Sequence, residues 1–295
     1  MISGVLVLDK PRGPTSHDMV AAARRALGER RIGHCGTLDP MATGVLVLAV
    51  GQATRLVQYL SSEEKYYEAV VRFGHDTNTY DAMGETVAES GDRPTLEALE
   101  AGLHQFRGTF PQRPPAYSAK KIGGVRAYTL ARREDGATLD LKLVEVTVSQ
   151  LDLLAFDGER ATLSMRVSAG FYVRSMAHDL GRVLGMGATL EALRRTRAGS
   201  FGLQEAVTAD VLATAPPSTL AGRMIPLSRL LPELPSLALT PAEATSARRG
   251  TDLPVPATWT GVPALSRLLD EQGALLALAT PSKRPGFLHP SVVLG

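Results

Sequence analysis

The chain is poor in the features that mark exported, membrane-spanning or zinc-binding proteins. Cys35 is the only cysteine in 295 residues, which excludes an intramolecular disulfide and a cysteine-based zinc site. The longest uninterrupted apolar run, at 45–50, is far shorter than the roughly 20 residues that cross a bilayer. Residues 1–10 lack a basic region ahead of their apolar stretch, so we expect no signal peptide. These absences predict a cytoplasmic protein without a membrane span.

Motifs for nucleotide cofactors are also missing. The chain has neither a G-x-G-x-x-G fingerprint nor a Walker-type G-x-x-x-x-G-K-[ST] loop, and we therefore predict no cofactor and no metal. An apolar content of 44% and a charged content of 21% are those of an ordinary globular protein. The length suggests one large domain or two domains of unequal size.

Positive charge is concentrated although the net charge is only +2. Between residues 107 and 133 there is no Asp or Glu, and aromatic side chains alternate with the basic ones. This pattern suits single-stranded or distorted nucleic acid, although a solvated basic loop explains it equally well. A second basic cluster follows at 194–197. The basic residues of the first segment are Arg107, Arg113, Lys120, Lys121, Arg126, Arg132 and Arg133.

The hydrophobic pattern predicts strands and helices without strict βαβ alternation. We therefore expect an α+β fold on a largely antiparallel mixed sheet. Ser16 is the predicted N-cap of the first helix, and Gly28 follows its end. The predicted strands are 4–8, 66–73, 139–154 and 161–167, and the predicted helices are 16–27 and 173–184.

A Pro-, Ala- and Ser-rich stretch at 211–240 predicts a boundary that divides the chain into domains 1–235 and 236–295. Thr240, Pro241 and Glu243 then form a capping-box signature for a new helix. Short apolar runs follow around 262–265 and 275–279, separated by Gly and Pro. The second domain is therefore expected to be a small β-structure.

The residues most suggestive of chemistry lie in the run GTLDPMATG at 36–44. Asp39 stands directly before Pro40, which pins its own φ and biases Asp39 toward an extended conformation. A carboxylate on such a bend is held close to solvent or to a ligand. On spacing alone, the run is explained by an ordinary Asp-Pro turn that leads into a buried strand.

GHCGTLDPMATGVL at 33–46 resembles the signature of the bacterial and organellar pseudouridine synthases that modify U55 in the T-loop of tRNA. Four further motifs of that family recur in the expected order. They are K-x-Y at 65–67, D-x-x-T-x-D-x-x-G at 76–84, a relative of G-T-Y-I-R-[ST] at 170–175, and L-R-R-x-x-x-G-x-F at 193–201. Five matches in order over residues 3 to 203 make the resemblance specific.

The resemblance implies a pseudouridine synthase fold, a basic RNA-binding loop at 106–133 and a C-terminal PUA-like β-barrel that binds RNA. It also implies a tRNA partner, no obligate protein partner and a monomer. By the same resemblance Asp39, Tyr67 and Arg174 are the catalytic residues. The implied substrate-binding residues are His34, Leu193, Tyr172, Asp81, Lys10, Lys65, Lys120, Lys121, Arg126, Arg194 and Arg195.

Each implied role has a plainer structural alternative. Arg174 is the natural partner of Asp39, because a nearby Arg offsets the cost of burying a carboxylate, but it could be a helix-surface residue. Tyr67 would stack on the target uracil, and since a tyrosine hydroxyl is a poor base, a proton-accepting role is the less secure one. Leu193 would form a wall of the same site. Tyr67 and Leu193 could both instead be ordinary core residues. His34 would pack against the flipped-out nucleotide or fill the place that it vacates, and the alternative of a metal site fails because one His beside one Cys does not provide one.

Three functions therefore compete. The first is a U55 pseudouridine synthase that acts by base flipping with Asp39 as nucleophile. The second is a non-catalytic RNA-binding or RNA-folding protein of the same fold, which has no need of an Asp–Arg pair. The third is a glycosidase or other hydrolase acting through Asp39, which needs a second carboxylate as acid, and none lies within the bend itself.

Overall fold

The computed structural model describes residues 2–117, 121–122, 125–126 and 141–294, and of residues 121–122 and 125–126 it describes the backbone. The described strands are β1 (Gly4–Lys10), β2 (Ile32–His34), β3 (Thr43–Val50), β4 (Lys65–Phe73), β5 (His75–Thr77), β6 (Thr86–Glu89), β7 (Gly108–Gln112), β8 (Lys121–Ile122), β9 (Val125–Arg126), β10 (Val144–Phe156), β11 (Arg160–Val167), β12 (Ala188–Ala198), β13 (Phe201–Gly202), β14 (Val207–Thr208), β15 (Ile225–Pro226), β16 (Ser236–Ala238), β17 (Leu253–Pro254), β18 (Ser266–Leu269), β19 (Leu275–Pro281) and β20 (Phe287–Val293).

Helices connect these strands. None of those in the described residues is long and apolar enough to cross a membrane. Short 3-10 helices cover Gly51–Leu56, Leu203–Glu205 and Leu227–Arg229. The α-helices are α1 (Ser16–Leu27), α2 (Val57–Ser61), α3 (Leu96–His104), α4 (Val173–Val183), α5 (Ala209–Thr214), α6 (Pro217–Gly222) and α7 (Pro241–Arg248).

One large sheet organises the chain up to about residue 226. Its main path runs β14-β1-β3-β12-β4-β11-β10-β7, with β2, β13 and β15 paired alongside. Most neighbours are antiparallel, but β1 pairs with β14 and β12 pairs with β3 in parallel. This mixed sheet with its helices confirms the predicted α+β fold. The parallel β12–β3 pair sets Arg195 opposite Gly44, so two distant sequence motifs meet at one point of the sheet.

The central strands are buried on both faces, which explains their unbroken apolar runs. Leu6 and Leu46 point into a core that also contains α1 and α4, whereas Val5 and Val45 point into a second core on the opposite face. The predicted first helix is present with Gly28 as its left-handed C-cap. Its N-cap, however, is Thr15 rather than the expected Ser16. Thr15 and Asp18 form a capping box, which satisfies two backbone donors at once.

The C-terminal residues form a separate five-stranded sheet in the order β16-β18-β19-β20-β17. The predicted capping box of Thr240 and Glu243 begins α7 and is confirmed. The stretch 211–240, in which a domain boundary was expected, contains the end of α5, all of α6, β15 and β16. Leu275 and Leu278 of β19 pack into the second core together with strands of the main sheet. A division of the chain at residue 235 stays a prediction.

The segment 106–133 is not a loop throughout, which corrects part of that prediction. Residues 108–112 form β7, which pairs with β10 at the edge of the main sheet. Phe106 and Phe110 pack edge to face in the core instead of facing RNA bases, because β7 turns them toward Phe171 and the sheet. Residues 121–122 and 125–126 pair as β8 and β9. Residues 118–120, 123–124 and 127–140 lie outside the described part of the chain.

We expect Gly44→Ala to destabilise the fold. Gly44 has φ of +100°, and a Cβ there would lie 2.2 Å from the Arg195 carbonyl oxygen. A side chain at such a φ costs more than about 1 kcal/mol before any clash is counted. Urea unfolding monitored by circular dichroism should show the loss. Gly33→Ala is the matched control, since its Cβ would meet nothing within 4 Å. Equal midpoints for the two variants would contradict this account of Gly44.

Candidate active site

Asp39 lies on a bend whose backbone is held from several sides. The Ala42 amide donates to the Asp39 carbonyl at 3.1 Å, which closes the turn around Pro40. The Ser16 hydroxyl donates to the Leu38 carbonyl at 3.0 Å and accepts from the Leu38 amide at 2.9 Å. Ser16 therefore links α1 to the residue before Asp39. The carboxylate is 33% exposed and faces a cavity, so the bend presents it to a ligand.

Arg174 holds the Asp39 carboxylate with one edge of its guanidinium. Its Nε donates to Oδ2 at 2.9 Å and its Nη2 donates to Oδ1 at 3.1 Å, a bidentate pair with fixed orientation. The arginine side chain is only 5% exposed, so it is not the helix-surface residue of the plainer alternative. Arg174 also donates to two backbone carbonyls, to that of Thr79 at 3.0 Å and to that of Tyr117 at 2.9 Å.

Asp81 supplies the second carboxylate near Arg174. Its Oδ2 lies 3.5 Å from the Arg174 Nε, and its side chain is 8% exposed. The Thr79 hydroxyl and the Met83 amide donate to its Oδ1 at 2.8 and 3.0 Å. Asp81 is therefore a buried counter-ion of Arg174, and it does not line the cavity that holds Asp39.

The cavity beside Asp39 has a volume of about 230 Å³ and gathers residues from four of the sequence motifs. Tyr67 of β4 and Leu193 of β12 form part of its wall, both less than a tenth exposed. Tyr172 and Phe171, just before α4, form another part. The structure thus brings together Asp39, Arg174, Tyr67, Tyr172, Leu193 and Lys65. Their roles toward a substrate stay predictions.

Lys10 and Arg195 hold the Asp39 bend from beneath, and Arg195 also lines the cavity. Lys10 is completely buried, and its Nζ donates to the carbonyls of Pro40 at 3.4 Å and Ala42 at 2.7 Å. Arg195 is 1% exposed and donates to the carbonyls of Gly36, Thr37 and Val45. Charged side chains that are buried and bonded in this way position the bend, and a contact of either residue with RNA stays a prediction.

Lys65 completes a cluster of buried cations. Its Nζ donates to the Ser61 carbonyl at 2.5 Å and to the Glu63 carbonyl, and its side chain also lines the cavity. Burial, reinforced by repulsion from Arg195 and opposed by Glu63 and Cys35, lowers the pKa of Lys65 to about 8. The same burial raises the pKa of the Cys35 thiol to about 12, so this cysteine is an unreactive core residue.

The remaining predicted residues lie apart from the cavity. His34 ends β2, half-buried, and packs edge to face on His17 at 5.3 Å between ring centroids. Arg194 forms a bidentate pair with Asp9 at 2.8 and 3.1 Å, in which 38% of the arginine remains exposed. Lys121 and Arg126 are paired in backbone register between β8 and β9, and Lys120 lies outside the described residues. Contacts of these residues with RNA stay predictions.

Two supporting residues escaped the sequence analysis. Ser16 was taken as a helix cap, although its hydroxyl instead fixes Leu38, 22 positions away. Thr79 was noticed only as a motif letter, although its carbonyl accepts from Arg174 and its hydroxyl donates to Asp81. Long-range bonds of this kind leave no local sequence signal. Among the described residues, no group of three or more His, Cys, Asp or Glu could hold a metal ion.

The fold and this site define the chain as an α+β enzyme with a single exposed carboxylate in an aromatic and apolar cavity. Residues 24–173 match the family described as TruB family pseudouridylate synthase (N terminal domain), and residues 174–231 match the tRNA pseudouridylate synthase B C-terminal domain. The chain belongs to the TruB family of pseudouridylate synthases.

Named relatives cover most of the chain. It is 43% identical to the tRNA pseudouridine synthase B of Solibacter usitatus, over 99% of this chain and 100% of that protein. It is 49% identical to the protein of the same name from Thermobifida fusca, over 72% of this chain and 75% of the relative.

Solved structures share the architecture. A Cbf5-Nop10-Gar1 complex matches with a TM-score of 0.73 and 27% identity, over 97% of this chain and 83% of the other. An archaeal box H/ACA sRNP Nop10-Cbf5 complex matches with a TM-score of 0.74 and 25% identity, over 99% of this chain and 86% of the other. The predicted pseudouridine synthase fold is therefore confirmed.

Lys10 gives stability a specific pH dependence. Burial lowers its pKa from 10.5 to about 8, against the attraction of Asp39 and with added repulsion from Arg195. Because the folded value is the lower one, the unfolded chain binds more protons between these two values, and stability should rise with pH across that window. Urea unfolding at both ends of the window should show a smaller rise for Lys10→Met than for wild type. Parallel curves would show that Lys10 does not titrate on unfolding.

Proposed function

We propose that the protein is a tRNA pseudouridine synthase that isomerises uridine 55 in the T-loop, with Asp39 as the nucleophile. The observation that carries the proposal is the exposed Asp39 carboxylate, clamped by Arg174 at the mouth of a cavity walled by Tyr67 and Leu193. Family membership and the names of the relatives support the substrate class. The particular position, U55, rests on the resemblance of the sequence motifs.

In this reaction the bond between uracil N1 and ribose C1′ breaks, and a bond between C5 and C1′ forms. The proton lost from C5 is balanced by the proton gained at N1, so the reaction needs no oxidant, reductant or cofactor. Arg174 occupies one lone pair on each Asp39 oxygen, and the remaining lone pairs are free to attack carbon or stabilise positive charge at C1′. A carboxylate fixed in this way loses little freedom in the transition state.

The cavity favours a single base removed from its stack. Its volume of about 230 Å³ leaves room for one pyrimidine but not for a helix, so the target must flip out of the T-loop at a cost of a few kcal/mol. Tyr67 lines the cavity and offers a ring for the uracil to stack on. The family resemblance also makes its hydroxyl a candidate acceptor for the C5 proton. Tyr172 and Leu193 would close the other sides.

The hydrolase alternative requires a second carboxylate that works as an acid beside Asp39. Asp81 is the carboxylate nearest to the Asp39–Arg174 pair, but its oxygens are engaged by Arg174, Thr79 and Met83, and it lies outside the cavity lining. A single exposed carboxylate fits an isomerase better than a two-carboxylate glycosidase. A protein that only binds RNA would have no need of an Asp39 carboxylate held by Arg174.

Recognition of the rest of the tRNA is proposed to fall on the basic segment that contains Lys120, Lys121 and Arg126, on Arg194, and on the C-terminal sheet as a PUA-like module. His34 would occupy the space that the flipped base vacates, as a planar substitute for its stacking. We propose that the enzyme acts in the cytoplasm on free tRNA, as a monomer and without an obligate protein partner.

Asp39→Asn should abolish pseudouridine formation while folding and tRNA binding persist. The amide removes the anion, and Arg174 keeps Asp81 as a counter-ion, so no unpaired buried charge is created. The measurement is pseudouridine mapping at position 55 of an unmodified tRNA, with affinity measured in parallel. Activity above about a tenth of wild type would remove Asp39 from the chemistry. Product at another uridine would contradict the U55 assignment.

Arg174→Lys should reduce turnover much more than tRNA affinity. Lysine keeps the charge but lacks the planar fork that fixes both Asp39 oxygens. The loss should appear in the single-turnover rate at saturating tRNA. Arg72→Lys is the control, because it alters a half-exposed pair with Glu159 on the same sheet. A change confined to the dissociation constant would identify Arg174 as a phosphate contact instead.

A further inference from the structure

Residues 112–117 cross the first turn of α4, and we call them the strap. The strap is hydrogen-bonded to three residues at the start of that helix. Gln112 bonds to the backbone of Tyr172, the Ser175 hydroxyl donates to the Arg113 carbonyl at 2.8 Å, and Arg174 donates to the Tyr117 carbonyl at 2.9 Å. The start of α4 is thus aligned along its whole first turn by a chain segment 60 residues away.

Gln112 is the most specific of these contacts. Its side chain is 2% exposed, and its Nε2 donates to the Tyr172 carbonyl at 3.0 Å. Its Oε1 accepts from the Tyr172 amide at 2.8 Å. One side chain therefore fixes both backbone polar groups of Tyr172, which sets the orientation of the two peptide groups on either side of its Cα.

Tyr172 is the residue from which α4 begins, and no side chain of its own caps the helix. It lines the cavity, and Arg174 follows only two residues later. A shift of the Tyr172 backbone would therefore move the cavity wall and the guanidinium that clamps Asp39 together. Pro114 and Pro115 in the strap are buried and have fixed φ angles, so the strap is stiff enough to hold this register.

We propose that Gln112 is a positioning residue for the isomerisation, which holds Tyr172 and, through the start of α4, the Arg174–Asp39 pair in register. This inference rests on the proposed function, because it assumes that Asp39 and Arg174 carry out the chemistry. Gln112 itself lies outside the cavity lining and touches no reacting atom. Its effect must therefore appear in turnover rather than in tRNA binding.

Gln112→Glu is the informative substitution. At about pH 8 the new carboxylate cannot donate a hydrogen bond to the Tyr172 carbonyl. It also repels that carbonyl, so the backbone at the start of α4 should shift. A displacement of about 1 Å in a catalytic group can cost 100-fold in rate, and we expect the single-turnover rate to fall by about tenfold or more. The tRNA dissociation constant should stay within about twofold of wild type.

Acid should restore this variant. A protonated Glu has the shape of Gln, and its hydroxyl can donate to the Tyr172 carbonyl while its carbonyl accepts from the amide. Burial raises the pKa of a carboxylic acid by up to several units, so protonation at about pH 6 is expected. The ratio of the variant rate to the wild-type rate should therefore rise as pH falls from about 8 to about 6. Gln112→Met, which lacks both bonds, should stay slow throughout.

Thr109→Val serves as the matched control on β7. It removes a side-chain bond to Thr147 on the outer side of the strand and touches neither α4 nor the cavity, so its rate should match wild type. Circular dichroism at each pH shows whether every variant is folded. If Gln112→Glu does not fold, Gln112→Met decides the question by its rate.

Wild-type rates in folded Gln112 variants, or a loss confined to affinity, would overturn the inference. Failure of both Gln112 variants to fold would assign the residue to folding and would overturn it too. Wild-type enzyme is assayed on the same unmodified tRNA. If it made no pseudouridine at position 55, the proposed function would be wrong. A fully active wild type with equally active Gln112 variants would contradict only the role of Gln112.

Discussion

The buried guanidinium of Arg174 is the point on which the site depends. It contacts the Asp39 bend, the loop of Thr79 and Asp81, and Tyr117, three segments that are distant in sequence. A charge that is 95% buried is tolerated only when its donors are satisfied and its charge is balanced. Two carboxylates and two carbonyls meet that requirement here. Their arrangement fixes the one carboxylate that remains open to the cavity.

A second set of buried cations supports the bend from the other side. Lys10 and Arg195 use their donors on backbone carbonyls rather than on carboxylates. Burying them has a cost, which appears as the lowered pKa of Lys10. As a result, the backbone carbonyls of the bend from Gly36 to Pro40 are hydrogen-bonded before substrate arrives. Preorganisation of this kind means that little rearrangement is needed when charge develops in the reaction.

The sequence predicted the parts of this site that local chemistry determines. The Asp-Pro bend, the buried runs of β1 and β3 and the start of α7 follow from residues close together in the chain. The burial of Lys10 and Arg195 beneath the bend could not be predicted, because a positive charge in a motif suggests an exposed contact and only the sheet register brings these residues under Asp39. Phe106 was misread for the converse reason. Its basic neighbours suggested a loop, but the strand that follows it turns the ring inward.

An isomerase has a requirement that a hydrolase lacks, because it must retain the base that it detaches. Retention calls for walls that hold uracil while it turns, and for few groups that would direct water to C1′. In the proposed reaction Tyr67, Leu193 and Phe171 supply those walls, and each is less than a tenth exposed. The acidic partner that could activate water, Asp81, is held outside the cavity by its own bonds. The same network that orients Asp39 thus keeps the second carboxylate away from the cavity, which favours rejoining of base and sugar over hydrolysis.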